Sequence, residues 1–277
     1  PRVSLVIPTR PGRGMFEDGE DYFVRRCIRS VRALSTHDDI EIVLVTDGEP
    51  PADLIDDIER ARARVVVFTD EFNFSEKINA GVEASRGEYA VLLNDDIEVV
   101  TPDWIERMLE FAQLGDVGAV GARLLFPSGN LQHSGVQVLG GNPTHAYYNI
   151  SADHPGYYNS NRVVREYLAV TAACLMVKRS DFDAVGGLDP KYPLNFNDVD
   201  FCLRLRERGL ASVMIPDAEL VHHESVTKSG VHADEIARFR EQWAERYPND
   251  PHYNPNLVEN GMFDVAPRPG PFRQARR

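Results

Sequence analysis

Residues 89–99 read YAVLLNDDIEV. Tyr89 to Leu93 is an unbroken apolar run of strand length, and Asn94, Asp95 and Asp96 follow it at once. The run predicts a buried strand. Two adjacent carboxylates at its end pack poorly and repel each other, so the position makes sense only if a cation or hydrogen-bond donors compensate them.

Outward from this stretch, strand and helix patterns alternate. Val3 to Ile7 is a short apolar run closed by Pro8, Glu41 to Val45 is a second strand, and Arg64 to Phe68 is a third. Between them, Asp21 to Leu34 carries Phe23, Cys27, Ile28, Val31 and Leu34 on one helical face. Ala52 to Ala63 reads as a helix with acids early and arginines late, which suits its dipole. Ser75 to Ser85 is a third helix, with Gly87 as its stop. This βαβαβαβ series predicts an α/β fold, a parallel sheet with helices on both faces.

Ligands of such sheets bind beyond the carboxyl ends of the strands. Three polar clusters fall there: Pro8-Thr9-Arg10, Thr46-Asp47-Gly48 and Asn94-Asp95-Asp96. A hard divalent cation takes oxygen ligands and bridges phosphates. Neighbours on an extended chain point opposite ways, so Asp96 is expected to hold a metal while Asp95 turns to a ribose hydroxyl.

Beyond residue 100 the pattern loosens. Thr101 reads as the N-cap of a helix with Pro102 at its first position. Val117 to Ala122 and Val170 to Val177 are strand-like, as are the shorter runs Ala211 to Ile215 and Glu219 to Val221. Asp198 to Arg208 is a helix with Val199, Cys202, Leu203 and Leu205 inward, and Ala233 to Tyr247 is a last helix. Residues 126–165 are rich in Gly, Asn, His and Tyr and have no clean period. A loop of that length predicts a lid or an acceptor surface, with His133, His145 and His154 and Tyr147, Tyr148, Tyr157 and Tyr158 available to a sugar. The run 266–271, APRPGP, predicts a linker or chain end.

The whole chain has 277 residues, 43% hydrophobic and 26% charged, an ordinary balance for a globular domain. No apolar stretch approaches the roughly 20 residues that span a bilayer. A net charge of −13 excludes a general nucleic-acid binder. A small anionic ligand remains open if a metal ion sits between it and the carboxylates. Cys27, Cys174 and Cys202 are odd in number, far apart and in apolar contexts, which predicts core thiols in a reducing compartment. The chain begins with Pro1 rather than Met and is expected to be a domain of a longer protein.

Two further clusters carry chemistry. In Asn197-Asp198-Val199-Asp200, Asp198 stands at a helix start, where backbone N–H groups stabilise a carboxylate; a plain N-cap is the other reading. Asp200 lies roughly 200° round the helix from it and is expected to pair with Arg204. In Val221-His222-His223-Glu224-Ser225, one imidazole is placed to complete a metal site, unless the two histidines are simply a surface pair.

Seven segments now stand in order: VSLVIPTR (3–10), NFSEKINAGVEASRG (73–87), LLNDDIEV (92–99), AACLMVK (172–178), GGLD (186–189), NDVDFCLRLR (197–206) and HHES (222–225). Together they resemble the family 2 glycosyltransferases of GT-A fold, above all the bacterial branch that builds O-antigen and other surface polysaccharides. The resemblance covers roughly residues 1–245. It implies a Rossmann-like, mostly parallel central sheet, a nucleotide-sugar half over about 1–122, a smaller acceptor half over about 123–245, and a C-terminal extension or linker over 246–277.

The resemblance also implies roles. Asp96 would be the metal ligand and Asp95 the nucleotide-sugar contact. Asn94 stands where the family usually carries the first Asp of its metal motif, and is given no ligand role. Asp198 falls on the general base, with Asn197 in place of a common Glu. His222 falls on a histidine that reaches the metal, with His223 as the alternative register. Thr9 and Asp47 fall on nucleobase and ribose contacts, and Asn73, Lys77 and Asn79 near the same pocket. The implied reaction is an inverting transfer, dependent on Mn2+ or Mg2+, from a UDP- or dTDP-sugar to a hydroxyl of a glycan or polyprenyl-linked acceptor. The implied setting is the cytoplasm or the inner face of the membrane, with at most peripheral attachment.

Two other readings compete. A nucleotidyltransferase would want a Gly-rich phosphate loop with a Lys after the first strand, to which Arg10-Pro11-Gly12-Arg13-Gly14 is a faint match. A non-catalytic module would bind a nucleotide sugar or glycan without turning it over.

Overall fold

Every residue of strand β1 (Val3–Thr9) is buried, as befits a strand inside a sheet covered on both faces. Its side chains alternate between two cores: Val3, Leu5 and Ile7 join one, and Val6 joins the other. The computed structural model describes residues 1–223 and 233–264. After β1 come a hairpin of β2 (Arg13–Phe16) and β3 (Gly19–Tyr22), then α1 (Phe23–Leu34), β4 (Ile40–Thr46), α2 (Ile55–Arg60), β5 (Ala63–Val67) and α3 (Phe74–Ala84). Next are β6 (Tyr89–Leu93), β7 (Ile97–Val99), α4 (Trp104–Ala112) and β8 (Val117–Leu125). Three short strands follow, β9 (Leu131–His133), β10 (Val136–Leu139) and β11 (Asn142–His145), before β12 (Arg165–Tyr167) and β13 (Cys174–Lys178). The described chain then runs through α5 (Arg179–Ala184), α6 (Asn197–Glu207), β14 (Ala211–His222) and α7 (Ala233–Phe239).

The central sheet has the order β12-β14-β8-β13-β6-β1-β4-β5, with β7 paired to β14 and β9 to β8. Strands β6, β1, β4 and β5 are mutually parallel. The strand expected over Val170–Val177 begins at Cys174 and runs antiparallel to both β6 and β8, so the sheet is mostly rather than wholly parallel. Helices α1, α2 and α4 cover one face, and α3 and α6 the other.

Several elements differ from their sequence signatures. The helix expected from Asp21 starts at Phe23, because Gly19 to Tyr22 pair with β2. The helix expected over Ala52–Ala63 is a short tight turn followed by α2. Thr101 does not cap α4; its Oγ1 accepts from the Glu219 N–H at 3.1 Å and ties α4 to β14. The runs Ala211–Ile215 and Glu219–Val221 are one strand with a bulge between them, where Pro216 has no N–H to give the ladder. The last helix stops at Phe239 and widens into a π-type turn over Arg240–Ala244.

The segment 126–165 is more wall than lid. It supplies three of the short strands and buries Leu131, His133, Val136, Val138 and Tyr147. Strands of three or four residues are too short for their alternation to show. Residues 246–264, expected as extension or linker, bring Tyr253, Leu257 and Phe263 into the same core as Val138 and Tyr147. Asp250 there accepts from the Val138 N–H at 3.0 Å. The 266–271 run and Glu224-Ser225 lie outside the described residues. The three cysteines are free and buried, and among the described residues no helix is long and apolar enough to cross a membrane.

Helix α3 sits against β1 and β4 through Gly81. A Cβ there would lie 2.4 Å from Val6 Cγ1 and 2.7 Å from Val45 Cγ2. Both contacts are to strand side chains in a packed core, so overpacking outweighs the better helix propensity of alanine, which is worth about 1 kcal/mol at most. Gly81→Ala is expected to lose about 1–3 kcal/mol of stability, read as a drop in thermal midpoint. An unchanged or raised midpoint would show that the helix–sheet contact is looser than this geometry.

Candidate active site

The parallel register of β1 and β4 sets Thr9 beside Thr46 and brings the first two polar clusters together. Lys77 of α3 reaches between them. Lys77 is 1% exposed, and its Nζ donates to the Thr9 carbonyl at 3.2 Å and pairs with Asp47. Arg10 meets the other side of Asp47 at 3.3 Å. Thr9 Oγ1 in turn donates to Asp95 Oδ2 at 2.5 Å, which links the third cluster. Burial, and then the charge of Asp96, push the Asp95 carboxyl up to about 7, against the pull of Thr9 and Lys77.

Asp96 is 4% exposed and begins the turn into β7. β7 pairs with the end of β14 so that Ile97 stands opposite His222, and the His223 N–H donates to the Asp96 carbonyl at 3.0 Å. His222 Nε2 then lies 3.0 Å from Asp96 Oδ1 and 3.1 Å from Asn94 Nδ2, while its Nδ1 meets Gln132 Oε1. His223 points the other way, as the next residue on a strand must. Its Nε2 is 2.8 Å from Glu98 Oε1 and its ring packs on Phe16. The register choice between the two histidines therefore falls to His222 as the neighbour of Asp96. Among the described residues no three His, Cys, Asp or Glu side chains gather as a metal site; Asp96 and His222 are a pair.

Asp198 enters from the opposite side. The residue before α6, Phe196, has a left-handed φ of 61°, which for a non-glycine costs about 1–3 kcal/mol. Its surroundings hold it there. Glu235 of α7 accepts from the Leu194 and Asn195 N–H groups at 3.0 and 2.9 Å and from Asn195 Nδ2 at 2.8 Å. The Phe196 ring lies 5.2 Å from that of Phe239. The first turn of α6 then aims Asp198 at the end of the sheet. Asp198 Oδ2 accepts from the Ala172 N–H at 3.1 Å and Oδ1 from the Val199 N–H at 2.8 Å. The half-buried carboxylate opens into a cavity of about 250 Å³ that Asn94, Gln132, His133, Tyr148 and His222 also line.

Not every residue singled out in the sequence joins this site. Asn73 caps α3 by accepting from the Glu76 N–H at 3.2 Å and donates to the Pro190 carbonyl at 2.8 Å. Asn79 holds both the N–H and the carbonyl of Leu188, at 2.9 and 2.8 Å. Ser75 Oγ donates to the Tyr192 carbonyl at 2.7 Å. These residues clamp the loop that leads to Asp198, whereas Lys77 lies roughly 200° round the helix from Ser75 and serves the strand ends. Arg13-Gly14, weighed as part of a phosphate loop, are the first residues of β2.

Asp200 is buried to 0% exposure. It accepts from Arg204 Nε at 2.8 Å, as the spacing predicts, and also from Gln242 Nε2 and Trp243 Nε1, both at 3.0 Å. Burial pushes its carboxyl up despite these donors.

Sequence reasoning missed Gln132 and Thr171 and read His133 as part of a loop-borne acceptor surface; it lines the cavity from within β9. The Thr171 N–H lies 3.3 Å from His133 Nε2, and His133 Nδ1 lies 3.1 Å from His145 Nδ1. Burial holds the His133 imidazole well below its usual range, so it is neutral. The only signal for Gln132 and His133 was polarity in an otherwise irregular segment, and for Thr171 a lone hydroxyl in an apolar run.

Comparisons with known proteins agree with the fold. The Glycosyl transferase family 2 model matches residues 19–185. The chain is 39% identical over 285 residues to the uncharacterized protein y4gI of Sinorhizobium fredii (strain NBRC 101917 / NGR234), across 97% of this chain and 30% of that protein. It is 32% identical over 270 residues to the O-antigen biosynthesis protein RfbC of Myxococcus xanthus, across 93% of this chain and 20% of that protein. The chain thus spans less than a third of the length of either relative. Among solved structures, GalNAc-T7 with UDP, GalNAc and Mn2+ superposes at a TM-score of 0.67 and 13% identity, over 89% of this chain and 49% of that one. The shared fold is the GT-A fold.

The two acids of α6 should separate in a stability measurement. Asp200→Asn turns an amide N–H toward a donor in a buried cluster and should cost about 1–3 kcal/mol. Asp198→Asn is half-exposed and should change the thermal midpoint much less. Equal midpoints for the two variants would contradict the buried role of Asp200.

Proposed function

The chain belongs to glycosyl transferase family 2, and from that premise we propose that it transfers a sugar, with inversion, from a nucleoside-diphosphate sugar to a hydroxyl of a glycan or polyprenyl-linked glycan in the making of a bacterial surface polysaccharide. One observation carries the reading: Asp198 and His222 line the same cavity, and His222 Nε2 lies 3.0 Å from the buried Asp96 carboxylate behind it. The O-antigen role in the name of the Myxococcus relative supports the pathway class.

The donor, a UDP- or dTDP-sugar, would lie across the strand ends. Thr9 and Asp47 would meet its nucleoside, Lys77 would hold Asp47 in place, and Asp95 would accept from a ribose hydroxyl. Asp198, steadied by two backbone N–H groups, would take the proton from the acceptor hydroxyl as that oxygen bonds to the anomeric carbon. The bond to the diphosphate breaks on the far side in the same step. The configuration inverts, and no bond to the enzyme forms.

The residues present fit a divalent cation. An imidazole nitrogen and a carboxylate oxygen, His222 Nε2 and Asp96 Oδ1, stand side by side at 3.0 Å in a buried position. Two adjacent acids at a strand end also call for positive charge. Asp96 and His222 would hold Mn2+ or Mg2+. When bound, such an ion supplies neutralisation of the charge that grows on the departing diphosphate.

The test is a pair of variants. Asp198→Asn is expected to lose about 10²–10⁴-fold in turnover with donor affinity kept, since the base acts on the acceptor. Asp96→Ala should abolish the Mn2+ dependence of UDP or dTDP binding in calorimetry while the protein stays folded. Normal turnover in Asp198→Asn would remove the base assignment. Unchanged Mn2+ dependence in Asp96→Ala would remove the metal assignment.

A further inference from the structure

Gln132 is 7% exposed and its Oε1 meets His222 Nδ1. Asn94 Nδ2 stands at the other ring nitrogen, 3.1 Å from Nε2. The two amides agree with each other. An amide N–H at Nε2 requires a lone pair there, and an amide oxygen at Nδ1 requires a proton there. Nδ1 of His222 then carries a proton, and Nε2 is the nitrogen that faces Asp96 Oδ1, at 3.0 Å, where a cation between the two would take its lone pair. Turning both amides over gives the opposite tautomer, in which an Nε2–H points at Asp96 and no lone pair is left for a cation.

We infer that Gln132 is a positioning residue: by accepting from His222 Nδ1 it keeps the Nε2 lone pair beside the Asp96 carboxylate and so completes a two-residue divalent-cation site. The inference rests on the proposed reading of Asp96 and His222 as ligands. Gln132 belongs to β9, in the segment 126–165, whereas Asp96 follows β6 and His222 ends β14. The cation pair therefore depends on a residue delivered from the acceptor half. Histidine ligands in metal sites commonly have the far ring nitrogen held by an oxygen in this way, and loss of that partner weakens metal binding by about 10–100-fold.

Two substitutions separate the oxygen from the bulk. Gln132→Met keeps length but removes the acceptor; Gln132→Glu keeps an acceptor oxygen. In the metal-free protein, nitrogen-15 histidine spectra, with the His222 signals identified by their loss in His222→Gln, should show a proton on Nδ1 in the wild type and in Gln132→Glu. Gln132→Met should lose it. Mn2+ affinity in the presence of UDP, measured by the spin resonance of free Mn2+, should fall about 10–100-fold in Gln132→Met and stay near wild type in Gln132→Glu. A purely structural role for Gln132 would move the thermal midpoint without changing the tautomer. Wild-type Mn2+ affinity in Gln132→Met, or an Nε2–H tautomer in the wild type, would overturn the inference. A wild type that binds no Mn2+ would overturn the metal reading itself, and the tautomer would still decide what Gln132 does. Should Gln132→Met fail to fold, the wild-type tautomer and the Gln132→Glu affinity decide between the same outcomes.

Discussion

Two carboxylates in a row at the end of a fully buried strand are the constraint on which this site depends. Burying even one charge costs several kcal/mol unless partners replace the lost water. Asp95 finds Thr9 Oγ1 and, behind it, the Lys77 ammonium, and still its carboxyl is pushed up to about 7. Asp96 turns the other way and finds His222. The parallel sheet supplies the first set of partners by placing the end of β1 between those of β6 and β4. The pairing of β7 with β14 supplies the second. Each element of the sheet near this edge thus answers the same electrostatic demand from a different side.

Helix α3 links the strand ends to the loop before α6 because its faces do different work. Lys77 holds the strand ends, while Asn73, Ser75 and Asn79 grip the loop from Leu188 to Tyr192 through backbone groups. That loop leads to Phe196, whose left-handed backbone is kept by Glu235 and Phe239 of α7. The position of Asp198 is therefore set by two helices that do not touch the cavity through their own polar side chains. One turn further on, Asp200 spends its carboxylate on Arg204, Gln242 and Trp243 and anchors the chain after α7 to α6. Two acids of one motif have separated into a cavity role and a packing role.

Much of this was legible in local pattern. The first four parallel strands, the helices between them, the polar strand ends and the helix start at Asp198 all follow from short-range periodicity and from residues that stop a strand or begin a helix. The segment 126–165 was not legible, since strands of three or four residues carry too little alternation, and a Gln or His in them looks the same whether it faces water or a buried ring. The same limit applied to Asn73, just before the expected helix, and Asn79, within it, which spend their amides on Pro190 and Leu188, more than a hundred residues away.

The sequence by itself determined the class of fold, the edge of the sheet where the chemistry belongs, and the acids available there. Only the tertiary structure decided which neighbour of each pair serves. His222 rather than His223 faces Asp96 because β14 pairs with β7 in a register that a one-residue slip would invert. Asp198 rather than Asp200 opens into the cavity because Trp243 and Gln242 close over the other face of α6. Register and helix rotation are set by contacts between elements far apart in the chain, and a doublet or an i, i+2 pair holds no local information that distinguishes its two members.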